Sequence, residues 1–306
     1  MNIGIVGYGK MGKKWGEAIS QIPETLFFGA IDKDNDVFNL IEHPLVDVII
    51  IATPNHVKYD IVTKAFADGK HVLCEKPMGF NLHEALEIHG RFTKKGVNNL
   101  FCSGFNYRFY PGIWKLKEII DSCKYGKVNN VRITFTHAGR PNMLKEWRFD
   151  PKQGGGGVIM DMGVHIFDLC SYLFKANLID SCKIDRYPET SAWITCKYPY
   201  ISVYLSAIEG KNVFRIEVQF EGGYVYLEGK SGFYGRQTLV ESEKYSWTEN
   251  IIKFPDEENS FRDELAEFIS KIKTGSESKI RTSDTFDGLH AMQMVDECYK
   301  RINVGI

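Results

Sequence analysis

The sequence predicts a two-part α/β protein. A doubly wound parallel sheet is expected in the N-terminal part, then an α+β part on a large, open, mostly antiparallel sheet. Three observations predict this. Short β-branched runs alternate with helical patterns over the first 120 residues. From about Val128 strand-like segments recur with few helices between them. The glycine-rich run GYGKMG stands directly between the first predicted strand and the first predicted helix.

NIGIV (2–6) reads as a strand, 11–22 as a helix and LFFGAI (26–31) as a strand. VDVIIIAT (46–53) is a continuous apolar run, as expected of a strand covered on both faces. A helix over 57–66, the strand HVLCE (71–75), a helix over 82–94 and the strand NLFCSGF (99–105) complete the repeat. NVRITFTHA, AWITCKY, ISVYLSAIEG, VFRIEVQFEG and YVYLEG then follow, several with the alternation of a sheet covered on one face. One helix begins near Met160. Two amphipathic helices close the chain, the first carrying Phe261, Leu265, Phe268, Ile269 and Ile272, the second Phe286, Leu289, Met292 and Val295. The expected division is 1–120 and 121–306, with the last helix free to pack back on the first domain.

Bulk properties exclude several classes. The chain has 306 residues, 43% of them hydrophobic and 25% charged, as in soluble globular proteins. A net charge of −1 leaves no electrostatic footprint for nucleic acid or an anionic membrane. No apolar stretch reaches transmembrane length. The seven cysteines are scattered, odd in number and without a C-x-x-C pair, so reduced core thiols and a cytoplasmic setting are expected.

GYGKMG places Gly7, Gly9 and Gly12 where a dinucleotide needs a tight turn, backbone approach to a pyrophosphate and close helix–strand packing. Asp32 stands 20 residues after Gly12, at the end of the second strand, where a carboxylate accepts hydrogen bonds from ribose hydroxyls and repels a 2′-phosphate. That favours NAD. Lys33 beside it softens the discrimination, so NADP stays open. The bland alternative is a glycine turn that binds no nucleotide.

Two further stretches carry chemistry. Cys74-Glu75-Lys76-Pro77 follows a strand at the carboxyl edge of the sheet, where ligands of open α/β sheets bind. A lysine there donates to a substrate hydroxyl and lowers its pKa; alone, a solvated side chain after a strand is the favoured reading. The second stretch is GGGGVIMDMGVHIFDL, Gly154 through Leu169. Each glycine costs about 0.5–1 kcal/mol of backbone entropy, so four in a row need a reason, here expected to be close approach to cofactor or substrate. Asp161, His165 and Asp168 lie at i, i+4 and i+7 on an otherwise apolar helix. A histidine with a neighbouring carboxylate suits proton transfer. A satisfied core His–Asp pair competes with that reading. A metal site is the weaker case, because no other histidine or cysteine stands at ligand spacing.

Assembled, these residues resemble the Gfo/Idh/MocA oxidoreductases, the group named for glucose–fructose oxidoreductase and inositol dehydrogenase. The likeness runs through GYGKMG, IIIATPNH (49–56), CEKPMG (74–79), FNYRFYPGIWKLKEIIDSCKYGKV (105–128), WRFDPKQGGGGVIMDMGVHIFDL (147–169), the GYVYLEG strand and the FRDELAEF helix. It implies an N-terminal Rossmann domain and a C-terminal domain whose sheet face joins copies into a homodimer or homotetramer. It also implies hydride transfer between nicotinamide and a secondary alcohol or ketone carbon of a sugar, polyol or sugar nucleotide. Lys76, Asp161 and His165 are implied to be catalytic. Gly7, Tyr8, Gly9, Lys10, Met11, Gly12, Asp32, Thr53, Pro54, Asn55, Glu75 and Lys76 are expected to hold the cofactor. Lys76, Asn106, Tyr107, Arg108, Trp147, Arg148, Asp161 and His165 are expected at the substrate, with Arg140 a further candidate and no metal. Two rivals stay open: glycoside hydrolysis through transient oxidation by NAD, and a non-catalytic dinucleotide-binding protein. The chain departs from the family pattern twice. Only 13 residues separate Asp32 from Val46, where relatives fit a helix and a third strand. And the usual histidine of ATPNxxH is replaced by Lys58, with His56 two positions early.

Overall fold

The structure is a computed structural model, and it describes residues 1–32, 37–229, 236–257, 259–276 and 280–302. It divides into two compact units: Met1–Asn106 with Lys152–Gly155 and Asn259–Gln293, and Tyr107–Pro151 with Gly156–Glu258 and Met294–Ile306.

The first unit runs β1 (Asn2–Val6), α1 (Lys10–Ser20), β2 (Leu26–Ile31), α2 (Val37–Glu42), β3 (Val48–Ile51), α3 (Lys58–Ala67), β4 (His71–Glu75), α4 (Leu82–Phe92) and β5 (Phe101–Gly104). Its five strands lie in the order β2-β1-β3-β4-β5, all parallel. All four residues of β3 are buried, which is why its sequence is unbroken apolar rather than alternating. The short stretch after Asp32 holds the six-residue α2 and, among the described residues, no further strand before β3. Strand β2 is therefore the sheet edge, leaving Leu26 59% and Phe27 39% exposed.

In the second unit α5 (Pro111–Asp121) leads into β6 (Val128–Thr136). A π-helical turn, Ile159–Gly163, then opens α6 (Val164–Phe174). Strands β7 (Leu178–Ile184), β8 (Ser191–Lys197), β9 (Tyr200–Ser206), β10 (Val213–Phe220), β11 (Gly223–Gly229), β12 (Gln237–Glu243) and β13 (Asn250–Lys253) follow. They form one eight-stranded sheet, β13-β12-β11-β10-β6-β9-β8-β7, parallel at β6–β9 and antiparallel at its other pairings. Strand β11 alternates strictly between buried and half-buried residues, as a sheet with one covered face requires.

The division falls at Asn106/Tyr107, earlier than the expected boundary near 120. The reason is α5, which packs on β11 and β12: the Gly112 amide donates to Gln237 Oε1 at 2.8 Å, and its apolar Ile113, Leu116 and Ile119 are buried. At the other end α7 (Ser260–Thr274) joins the first unit. Its Phe261, Leu265, Phe268 and Ile269 share a core with Trp15, Ala18 and Ile19 of α1, and the Trp15 and Phe261 rings meet edge to face at 4.9 Å. The final helix, α8 (Thr285–Arg301), carries Leu289, Met292 and Val295 as buried residues, whereas Phe286 is 62% exposed.

Phe268 has no exposed surface, so Phe268→Ala is expected to cost about 3–5 kcal/mol of stability. Denaturant unfolding of the full chain measures this; a loss below 1 kcal/mol would mean α7 does not complete the core of the first unit.

Candidate active site

In the first unit the chain leaves β1 through Gly7, whose φ of +91° is open to glycine at little cost. Its amide donates to Ile31 O at 2.8 Å, tying the turn to the end of β2. A Cβ on Gly7 would lie 2.7 Å from the Ala52 carbonyl, and one on Gly12 only 2.1 Å from Gly7 O. Both glycines are thus demanded by the protein's own packing. Gly9 is different: a Cβ there meets nothing within 4 Å, and its φ is an ordinary −72°. It is the N-cap of α1, which has no side-chain cap and no acidic residue in its first turn. The helix start therefore presents amides and positive dipole to an open space, a cradle that suits a pyrophosphate.

The flanking residues sort by what they touch. The Tyr8 ring stacks on Phe27 at 5.9 Å, Met11 packs against the core, and Lys10 and Asp32 are exposed. Lys33 lies outside the described residues. Beyond β3, the Asn55 side chain donates to Gly154 O at 2.8 Å, and His56 donates its amide to Gln153 O. Thr53 Oγ1 and Asn55 Oδ1 are buried without a hydrogen-bond partner among the described residues. Buried polar atoms are nearly always satisfied, so these two orphans fit a ligand at this edge.

Strand β4 delivers Glu75 and Lys76 to the same carboxyl edge. Glu75 is buried and accepts from Trp15 Nε1 at 2.9 Å. Burial raises its pKa, with the nearby Lys58 and Lys76 charges pulling it back. Lys76 is half-buried, and its bond to Pro77 is cis. The Cys74 thiol, fully buried, is pushed up to about 12 and is no nucleophile. Asn106, expected at the substrate, is buried with its amide donating to Ser260 Oγ at 2.8 Å.

In the second unit Gly156 and Gly157, the last two of the glycine run, serve a different purpose from the one the sequence suggests. A Cβ on Gly157 would fall 2.0 Å from Glu189 O, and one on Gly156 1.9 Å from the Tyr299 hydroxyl. Close approach is indeed the reason, but the partners are the protein's own Glu189 and Tyr299. The Glu189 carboxylate, wholly buried, accepts from the amides of Gly157 at 3.0 Å and Ile159 at 2.9 Å and from the Tyr299 hydroxyl at 2.7 Å. It caps the segment that carries Asp161 and His165, and nothing in the motif pattern singled it out. Its signal is a lone glutamate between Pro188 and strand β8.

His165 is 5% exposed and stacks face to face on Tyr107, the ring centres 3.8 Å apart at 16°. Asp161 lies on the π-helical turn, 3.7 Å from Arg148 Nη1. Arg148 also stands 3.4 Å from Glu146, and its guanidinium sits 5.4 Å from the Trp147 ring. Arg140 pairs with the same Glu146 at 2.6 Å. Arg108, expected at the substrate, has instead no exposed surface: its Nε donates to Asp168 Oδ2 at 2.9 Å, Nη2 to Oδ1 at 2.5 Å, and Tyr172 covers it at 4.6 Å. Asp168 is consequently a structural partner of Arg108, not a neighbour in proton transfer.

A doubly wound sheet with this glycine turn defines a dinucleotide-binding protein. A family model described as an oxidoreductase family, NAD-binding Rossmann fold, matches residues 28–102, and the GFO/IDH/MocA C-terminal domain model matches residues 113–224, together more than half of the chain. The chain belongs to the Gfo/Idh/MocA oxidoreductase family. It is 27% identical to levoglucosan dehydrogenase of Pseudarthrobacter phenanthrenivorans over 200 residues, 56% of this chain and 51% of that protein. To myo-inositol 2-dehydrogenase of Thermotoga maritima it is 29% identical over 190 residues, 56% of this chain and 54% of that protein. The matched stretch thus spans about half the length of these curated relatives. The solved levoglucosan dehydrogenase in complex with NADH shares the fold at a TM-score of 0.86 and 18% identity, over 99% of this chain and 97% of that one.

The open space at Gly9 separates ligand from packing. Gly9→Ala is expected to leave unfolding within about 0.5 kcal/mol of wild type while weakening NADH binding, read by nucleotide fluorescence. Unchanged affinity would remove the turn from the cofactor site.

Glu189 gives a second test. Burial raises its pKa above the ordinary 4.5, opposed by its hydrogen bonds to Tyr299 and the amides. A carboxyl raised on folding binds its proton more tightly in the native state, so its stabilisation is present at low pH and fades as pH rises from 4.5 through the native value. Glu189→Gln keeps an acceptor but cannot ionise, and its stability should fall less steeply across that window in unfolding measured from pH to pH. Parallel profiles would contradict this.

Proposed function

We propose that this chain is an NAD-dependent oxidoreductase that moves a hydride between nicotinamide and a secondary alcohol or ketone carbon of a sugar, polyol or sugar nucleotide. The observation that carries the reading is the open cradle at Gly9, set at the same sheet edge as Lys76 and the unsatisfied Thr53 and Asn55 atoms. The names of the relatives, dehydrogenases of levoglucosan and myo-inositol, support the substrate class.

The amides at the start of α1 hold the pyrophosphate, and Gly9 admits it. Asp32 accepts from the ribose hydroxyls and disfavours a 2′-phosphate, hence NAD over NADP. Thr53, Pro54, Asn55 and Glu75 line the other end. When bound, the nicotinamide supplies the two-electron acceptor or donor. Lys76 donates a hydrogen bond to the reacting oxygen, stabilising charge that develops there. His165 takes the hydroxyl proton on an imidazole nitrogen during oxidation and returns it during reduction. Tyr107, stacked on that ring, fixes its plane. Asp161, near Arg148, orients substrate hydroxyls, with Trp147 beside them. Copies of the chain associate through the open face of the eight-stranded sheet, where Trp193 is 48% exposed and stacks on Tyr204.

The test is a panel of polyols, aldoses and sugar nucleotides with NAD or NADP, followed at the reduced-nicotinamide absorbance. Turnover with NAD is expected, and His165→Ala should reduce it by about 10²–10⁴-fold with NADH affinity retained. Cleavage of glycosides without accumulation of NADH, or near-full turnover in His165→Ala, would overturn the assignment.

A further inference from the structure

Lys58 is the first residue of α3 and is 1% exposed. A cation at a helix start opposes the macrodipole, and a buried ammonium loses its hydration, so this side chain stands where both effects disfavour it. What compensates is specific. Its Nζ donates to Glu75 O at 2.8 Å, Lys76 O at 2.9 Å and Pro77 O at 3.0 Å. An ammonium has three donors, and three consecutive carbonyls take them.

The first two of those carbonyls belong to the peptide groups on both sides of the Lys76 Cα, and the third to the peptide that follows Pro77. Fixing both planes fixes the direction in which the Lys76 side chain leaves the backbone. We propose that Lys58 is a positioning residue for Lys76: its buried ammonium pins the Glu75–Pro77 turn so that Lys76 is aimed from the carboxyl edge of β4. Lys58 itself meets no substrate, since its donors are turned to the main chain. The inference rests on the reading of Lys76 as the donor to the reacting oxygen, and it gives a purpose to the lysine that stands where the family pattern has a histidine. A shorter, flat imidazole has at most two donors, so this three-point grip is a property of the lysine.

The experiment compares full-length wild type with Lys58→Met and Lys58→Gln. Each is treated with trace acetic anhydride, and the acetylation rate of Lys76 is measured by mass spectrometry against the exposed Lys94 and Lys95 as internal standards. A Lys76 rate changed by about threefold or more is expected, with NADH affinity within about threefold of wild type, because a small misplacement of a reacting group is enough to matter. On the substrate that the panel identifies, kcat should fall about 10- to 10²-fold with KM nearly unchanged. An unaltered Lys76 rate overturns the proposal. So does failure of both variants to fold, which would make Lys58 a residue of the fold alone. Lys76→Ala serves as the separate control: if it keeps full turnover, the functional reading of Lys76 fails while the labelling result still decides what Lys58 holds.

Discussion

Parallel pairing of β1 with β2 on one side and β3 on the other is the constraint from which the first unit's site follows. With β1 between its two successors, the connections after β1 and β3 diverge to opposite faces and leave a crevice at their carboxyl ends. Gly7 is needed there because the Ala52 main chain closes on it, and Gly12 because α1 must start against the same turn. Once those contacts are made, the amides of α1 point into open space at Gly9 with no competing side chain. The same edge receives Thr53 from β3 and Lys76 from β4.

Buried charge is handled in three different ways, and each marks a different purpose. Arg108 and Asp168 neutralise one another bidentately under Tyr172, a rigid pair that anchors α6. Removing one partner of such a pair typically costs about 3–5 kcal/mol, because the other is left charged and dry. Glu189 is held through its Oε1 alone by two amides and a phenol rather than by a cation, which holds a glycine-rich turn in one shape. Lys58 donates to three consecutive main-chain carbonyls, at the turn that carries Lys76. Main-chain partners fix backbone geometry more tightly than a flexible carboxylate side chain does.

Much of the fold was legible in advance. Apart from α2, the alternation of β and α through β5, the glycine turn and the amphipathic α7 and α8 are all periodicity or turn chemistry, which act over a few residues. The helix α5 carried a signal, Pro111 followed by Ile113, Leu116 and Ile119, that was visible only as part of a family-like run. Strands β12 and β13 were harder, since QTLVESE and NIIK are short and their register comes from neighbours. Lys76, Asp161 and His165, the proposed catalytic residues, were singled out by motif. The partners of Lys58, Glu189 and Tyr299 were not, because each lies 17 or more positions away.

By itself, then, the order of residues determined which segments became strands and helices, where the glycine turn sits and which family the chain belongs to, because local pattern and turn propensity decide those. Only the tertiary structure decided that Gly156 and Gly157 yield to Tyr299 and Glu189, that Arg108 is spent on Asp168, and that a lysine grips three carbonyls around Lys76. These are matters of which distant atoms come within 3 Å of one another, and no spacing along a chain encodes that distance.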